Sequence, residues 1–346
     1  MIRRLPINDF LTQSQHHLII DVRSPGEYGH AHIPGANSIP LFTDEERKQV
    51  GTAYKQESRE KAIKIGLDYF GPKMRPIVEQ VEALAKDNTE RKKIFIYCWR
   101  GGMRSGAIAW LLDLYGFNVS VLAGGYKAFR NYVLSTFQQP YSFHILGGYT
   151  GSGKTELLHE LKKKGETIVD LEGIASHKGS AFGSIGMPAQ PTQEMFENML
   201  GMELQRADPN QQKVIWLEDE SQRIGLNNIP ATLWSTMRNS PIFFVDIPFE
   251  SRLDHLVEEY GCLEKDKLSD AIVRITKRLG GLDTKNALQY LEEENFKECF
   301  RILLSYYDKH YHKGLHKREN VESLISYYKC AVVTPENADV LNAVRQ

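Results

Sequence analysis

Two short stretches hold residues whose types and spacing can do chemistry. In "IFIYCWRGGMRSGAIAWLL", Cys98 and Arg104 form C-x5-R, with Arg100 and the Gly101–Gly102 turn between them. Glycine-rich backbone can turn its N–H groups inward, and a helix beginning at Ser105 or Gly106 adds its positive end. That field favours a thiolate, the nucleophilic form of cysteine. The spacing wraps a phosphate-sized anion. The thiolate can attack phosphorus, or accept sulfur or selenium from a phosphate-bound donor, and the loop alone leaves both open. In "GGYTGSGKT", residues 148–155 fit G-x4-G-K-[ST] without a mismatch. Gly148, Gly151, Ser152 and Gly153 let the backbone cradle a diphosphate, and Lys154 neutralises its charge. Thr155 is placed to hold Mg²⁺.

The elements that must position these loops are short apolar runs alternating with helical patterns. "HHLIIDVRS" (16–24), "KKIFIYC" (92–98) and "VSVLAGG" (119–125) read as buried strands, with "IVEQVEALAKD" (77–87) and "SGAIAWLLDLYG" (105–116) helical between them. After "STFQQPYSFHIL" the pattern restarts. "YSFHILGG" (141–148), "TIVDLEG" (167–173), "KVIWLEDE" (213–220) and "PIFFVDIP" (241–248) read as strands, and the tail from Pro248 reads as mostly helical. Both parts are expected to be α/β with mostly parallel sheets, as domains over residues 1–137 and 138–346. Strand–loop–helix is the context the P-loop pattern requires, and "VIWLEDE" supplies a carboxylate-ended strand with Glu218, Asp219 and Glu220.

Other segments carry weaker signals. "DLEGIASHKGSAFGSIGMPAQPTQEMFEN" (170–198) reads as a long loop, in which His177, Lys178 and Ser180 could meet a phosphate and Asp170, Glu172 and His177 could act as acid or base. The polar stretch between Pro40 and Cys98, with Tyr54 and Tyr69, reads as a solvated insertion or a contact surface. Near the end, Tyr306, Tyr307, Tyr311, Tyr327 and Tyr328 interleave with Lys309, Lys313, Lys317 and Arg318. That suits RNA, with bases on the rings and phosphates on the cations. A helix with its tyrosines in the core gives the same pattern. His310, His312 and His316 lack a second ligand cluster, so no metal site is expected.

Composition bounds the rest. The chain has 346 residues and a net charge of −1. Residues 1–137 hold 19 Lys+Arg against 14 Asp+Glu, and the remainder 24 against 30. The first part is therefore mildly basic, which leaves room for an anionic partner. No apolar run is long enough to span a membrane, and "MIRRLPINDFLTQ" lacks the pattern of a signal peptide. Four scattered cysteines without CxxC argue against a disulfide framework and for a reducing, cytoplasmic setting.

"DVRSPGEYGHAHIPGANSIP" (21–40), with Asp21, Arg23, Glu27, Tyr28, His32, Ile33, Pro34, Gly35 and Ala36, resembles the rhodanese signature, and "LAGGYKAF" (122–129) resembles its closing stretch. This resemblance implies a persulfide or selenyl sulfide on Cys98. "CWRGGMRS" followed by "GGYTGSGKT" and "DLEG…SHKGSAFG" resembles the tRNA 2-selenouridine synthases over essentially the whole chain. What that family implies is an N-terminal rhodanese-like domain, then a P-loop NTPase-like α/β domain with a helical C-terminal part. It further implies replacement of sulfur by selenium in wobble 2-thiouridine of tRNA, with selenophosphate and geranyl diphosphate as co-substrates. Cys98 would be catalytic, Arg100, Gly101, Gly102, Arg104 and Ser105 would bind selenophosphate, and the P-loop would bind the geranyl diphosphate. The basic first domain and the Tyr/Lys tail would hold the anticodon arm. Two alternatives stay open from the residues alone. One is a cysteine phosphatase or sulfurtransferase fused to a nucleotide-dependent kinase-like domain; the other is a non-catalytic regulator.

Overall fold

The computed structural model describes residues 2–86 and 93–342. Asp87 and Lys92, expected at the ends of a helix and a strand, lie outside the described residues. The chain forms two compact units that divide between Ser135 and Thr136.

The first unit runs β1 (Arg3–Leu5), α1 (Ile7–Gln13), β2 (Leu18–Asp21), α2 (Pro25–His30), β3 (Asn37–Ser38), α3 (Asp44–Gln56), α4 (Arg59–Phe70), α5 (Met74–Ala85), β4 (Lys93–Tyr97), α6 (Met103–Tyr115), β5 (Asn118–Leu122) and α7 (Gly125–Thr136). Its sheet has the order β1-β5-β4-β2-β3 and every pairing is parallel. Strands buried on both faces read as continuous apolar runs, which is how β4 and β5 were visible in the sequence. Ile20, Ile94, Ile96, Val119 and Val121 pack with Val81 of α5 and with Ile108 and Leu112 of α6. Cys98, one residue past β4, belongs to the same cluster.

The polar stretch after Pro40, expected as a solvated insertion or a contact surface, does face solvent over most of its length. It is a helical excursion of α3 and α4 closing on Phe42 and Phe70, with Ala53 and Ala62 buried. Thr43 caps α3 by accepting from the Glu46 N–H, and the Glu46 carboxylate accepts from the Thr43 N–H at 2.8 Å.

The second unit runs β6 (Ser142–Gly147), α8 (Lys154–Lys163), β7 (Thr167–Ile168), α9 (Leu171–Ala175), α10 (Gln193–Ala207), β8 (Val214–Glu218), β9 (Arg223–Ile224), β10 (Asn227–Asn228), α11 (Ala231–Arg238), β11 (Ile242–Asp246), α12 (Phe249–Tyr260), α13 (Lys265–Leu279), α14 (Gly281–Glu292), α15 (Phe296–Leu315), α16 (Val321–Leu324), β12 (Ile325–Lys329) and α17 (Asn337–Asn342). The main sheet has the order β12-β11-β6-β8-β7, again all parallel. The loop after β6 therefore opens between the ends of β8 and β11, where parallel α/β sheets bind ligands.

Two expectations are corrected here. The span 170–198 is not one loop, because α9 occupies its start and α10 begins within it. The C-terminal tyrosines do not share one helix. Tyr306, Tyr307 and Tyr311 are on α15, whereas Tyr327 and Tyr328 are on the edge strand β12. The mostly exposed β12 lacks the apolar run that marks the inner strands, so its sequence hides it.

Candidate functional site

In the first unit the loop from Cys98 to Gly102 joins β4 to α6. The helix begins at Met103, earlier than the expected Ser105 or Gly106, because Gly102 already stands outside helical geometry as its N-cap. Ser105 consequently lies in the first turn. Its Oγ is 3.2 Å from Cys98 Sγ and 3.2 Å from the Gly102 carbonyl oxygen. Cys98 is only 3% exposed.

The loop is pressed onto the turn after β5. Tyr126 N–H donates to Cys98 O at 2.8 Å and Lys127 N–H to Trp99 O at 3.1 Å. A Cβ on Gly125 would lie 2.3 Å from Cys98 O and 2.5 Å from Gly101 N, and one on Gly101 would lie 2.4 Å from Leu122 O. Both glycines also hold positive φ, so no other residue fits either position well.

The rest of the 21–40 stretch frames this loop. Arg23 is buried, grips Asp21 through Nε and Nη2, donates to Ala31 O at 2.6 Å and stacks 3.9 Å from the Tyr126 ring centroid. Glu27 binds Arg104 directly, with Nη1 donating at 2.6 Å and Nη2 at 3.3 Å. It also accepts from Ser24 N–H at 3.0 Å and pairs with Arg47 at 3.1 Å. Burial alone would raise the Glu27 pKa. The Arg104 bonds and charge, the Ser24 N–H and Arg47 outweigh it and hold the carboxyl below its ordinary value. Arg104 is thus tied down at the loop's end, while Arg100 is exposed at its crest. Trp99 and Met103 flank the loop and are also exposed.

In the second unit the P-loop after β6 has Gly148, Gly151 and Gly153 at positive φ. Lys154 Nζ donates to Gly148 O at 3.0 Å, curled over the loop where a diphosphate would sit. Thr155 Oγ1 donates to Glu172 at 2.7 Å. Gly148 N–H donates to Tyr311 Oη at 3.3 Å, Tyr311 donates to Asp219 at 2.6 Å, and Arg318 pairs with Asp219 from the other side. Arg252 braces the loop by donating to Thr150 O at 3.0 Å while gripping Asp308 with both terminal nitrogens.

A cleft of about 820 Å³ opens over this loop. Its lining includes Leu256, Tyr260 and Tyr307, which pack on one apolar cluster, and also Trp234, Arg238, Lys317 and Arg318. Glu172, Asp219 and Glu220 line it, with Glu218 buried behind them at the end of β8. Burial, with Asp170 and Glu172 nearby, pushes the Glu218 pKa well above its ordinary value; burial and Glu172 do the same to Glu220. Among the described residues no group of three or more His, Cys, Asp or Glu is set to hold a metal ion.

The 170–178 candidates separate. Glu172 and Lys178 line the cleft, Lys178 paired with Glu259 and 5.5 Å from the Tyr260 ring centroid. Asp170 instead caps α9, accepting from Gly173 N–H at 2.6 Å, and meets His159 Nε2 at 2.9 Å. His177 is buried and tightly packed, since a Cβ on Gly183 or Gly225 would fall within 2.8 Å of its ring. Its Nδ1 has no hydrogen-bond partner among the described residues. Trp234 and Arg238 were not found from sequence, because α11 shows no motif and only the tertiary fold brings it to the cleft. Tyr307 and Tyr311 do reach the cleft, as buried or half-buried walls rather than free stacking rings.

Comparison with known proteins agrees with both halves. A rhodanese-like domain model matches residues 8–132, and a tRNA 2-selenouridine synthase AAA domain model matches residues 141–331. The chain is similar to tRNA 2-selenouridine synthase from Shewanella frigidimarina, 33% identical over 87% of this chain and 89% of the relative. The protein of the same name from Hydrogenovibrio crunogenus is 36% identical over 87% and 90%, and that from Nitrosomonas europaea 32% over 87% and 89%.

Proposed function

Since the chain belongs to the tRNA 2-selenouridine synthase family, we propose that it exchanges sulfur for selenium in wobble 2-thiouridine of tRNA by two reactions at two sites. At the P-loop, the thiocarbonyl sulfur attacks C1 of geranyl diphosphate. The C–O bond breaks, and diphosphate leaves with the electron pair into the loop N–H groups and Lys154. Leu256, Tyr260 and Tyr307 offer the apolar wall a prenyl chain needs. A magnesium ion arriving with the diphosphate would meet Thr155 Oγ1 and Glu172.

The thioether so formed is a better leaving group than the thiocarbonyl. Selenium comes from selenophosphate at the Cys98 loop. It is already at the selenide level there, so electron balance favours attack of the Cys98 thiolate on phosphorus. The P–Se bond breaks, an S-phosphocysteine forms, and selenide leaves with its electron pair to displace geranylthiolate at C2 of the base. Water then hydrolyses the S-phosphate. A selenyl sulfide route would need a reductant to release the selenium. Arg100, the loop backbone and Arg104 would carry the phosphate, with Ser105 Oγ beside the sulfur.

The observation that carries this reading is one chain holding both a thiol loop suited to phosphorus and a diphosphate loop with an apolar wall. Asp219, one residue past β8, is engaged by Tyr311 and Arg318, and no separate base motif for phosphoryl transfer stands out in the sequence, which speaks against the kinase-like alternative. The test is mass spectrometry of nucleosides after incubating the protein with 2-thiouridine tRNA, geranyl diphosphate and selenophosphate. Wild type is expected to give selenouridine, Cys98→Ala to accumulate S-geranyl-thiouridine, and Lys154→Ala to give neither. Unchanged tRNA with every donor would end the reading.

A further inference from the structure

None of the steps assigned to the P-loop unit uses the wall of its cleft built by α11 and the residues following α15. Trp234 and Arg238 stand four residues apart on α11, hence on one face. The Arg238 guanidinium lies 5.4 Å from the Trp234 ring centroid. Among the described residues its two terminal nitrogens reach only Gly314 O, at 3.3 and 3.4 Å. Next to it, the Arg318 side chain is 1% exposed. Arg318 pairs with Asp219 through Nη2, but its Nε and Nη1 have no hydrogen-bond partner among the described residues.

These two cations are under-compensated. Burial and the Arg318 charge push the Arg238 pKa down, and Asp219 is the carboxylate that opposes them. Asp219 must serve both guanidinium groups and also accept from Tyr311. Buried donors without partners and a buried charge without a full counter-charge are both costly. An anion arriving at this wall would relieve both. Lys317 also lines the cleft.

We propose that this wall is a single-stranded RNA subsite, in which Trp234 carries a base and Arg238 with Arg318 takes the adjoining backbone phosphate. It rests on the family's RNA substrate and not on the prenyl step. Aromatic rings and arginine planes hold unstacked bases, and guanidinium groups hold phosphate through paired N–H donors. An aromatic ring beside two arginines is the composition of a nucleotide site, whereas a bare diphosphate would leave the indole unused. The P-loop shares the cleft, so a base held here would be presented directly to the diphosphate ester.

The experiment measures binding of a stem–loop RNA with a uridine-containing single-stranded loop, and separately of inorganic pyrophosphate, to the full chain. Arg238→Ala is expected to weaken RNA about tenfold and lower the slope of log affinity against log salt by about one. Trp234→Ala should weaken it about tenfold with the slope unchanged, and Trp234→Phe should recover most of the loss. Lys154→Ala should lose pyrophosphate and keep RNA binding. Matching thermal melts establish that the variants fold, and Arg238→Gln replaces Arg238→Ala if they do not match. Loss of pyrophosphate with RNA unchanged in Arg238→Ala would assign the arginines to the diphosphate and overturn the proposal. So would RNA affinity unchanged in both α11 variants, or wild type that binds no RNA. Failure of the prenyl chemistry reads out differently, as absent S-geranyl product with RNA binding intact.

Discussion

Arg104 was legible in the sequence as a cation at the end of a C-x5-R loop, but its partner was not. Glu27 lies 77 positions away, and no spacing rule connects them. The bidentate grip fixes the guanidinium at the loop's edge and removes freedom that would otherwise be lost when an anion binds. Glu27→Gln should therefore lower selenium transfer at Cys98 about tenfold or more while leaving S-geranylation unchanged, as read by the two nucleoside products. The same pair sets an acid limit. The folded Glu27 pKa is below the unfolded value, so the folded state holds its proton less tightly. Its stabilisation is complete above the unfolded pKa, near 4.5, and is lost as pH falls through the folded value. Melting temperatures of wild type and Glu27→Gln should differ at neutral pH and converge in acid; a constant gap would show that Glu27 acts by packing alone. His177 shows what spacing leaves out: burial and the Arg274 charge lower its pKa and its ring is closely packed, neither of which its Gly/Ser-rich span announces.

The strands that place both loops were visible because strands buried on two faces must be apolar throughout, and β4, β6 and β8 are nearly so. The backing of the Cys98 loop was visible only as "LAGG", without its reason. Gly101 and Gly125 let two backbone segments approach closer than any side chain allows. Gly101→Ala combines positive φ with a carbonyl 2.4 Å from the new Cβ. It should cost about 3 kcal/mol of stability and lower selenium transfer, measured by denaturant melts and product analysis. The end of β8 makes a second case. Glu218 is buried among Asp170 and Glu172, so its folded pKa lies above the unfolded one. The folded state then binds a proton the unfolded state has lost, and stability falls as pH rises from about 4.5 toward the folded value. One Glu218 oxygen accepts from Leu171 N–H at 3.1 Å, which a glutamine oxygen can also do. Glu218→Gln should thus match wild type in acid and melt progressively higher than it toward alkaline pH. An advantage that does not grow with pH would mean the carboxylate is stabilised by something other than its proton.

At the scale of the whole molecule, the residues proposed for each reaction are drawn from one unit apiece. Cys98, Ser105, Arg104 and Glu27 belong to the first; the P-loop, Glu172, Asp219 and the cleft walls belong to the second. The proposed intermediate is covalent, carried by the RNA, and does not depend on remaining attached to the protein. It follows that one base must be bound in two poses, and that the second pose can be reached after release. Cys98→Ala and Lys154→Ala should each fail alone to make selenouridine and together restore it. Lys154→Ala retains the selenium loop, and Cys98→Ala retains the diphosphate loop. The rate of the mixture should rise with protein concentration and pass through a detectable pool of free S-geranyl tRNA. Trapping that pool with excess unlabelled S-geranyl tRNA should suppress the labelled product in the mixture and much less in wild type, where rebinding to the same chain competes with escape. A mixture that makes S-geranyl tRNA and never selenouridine would show that the base passes between the two sites without release, and that both must be intact in one chain.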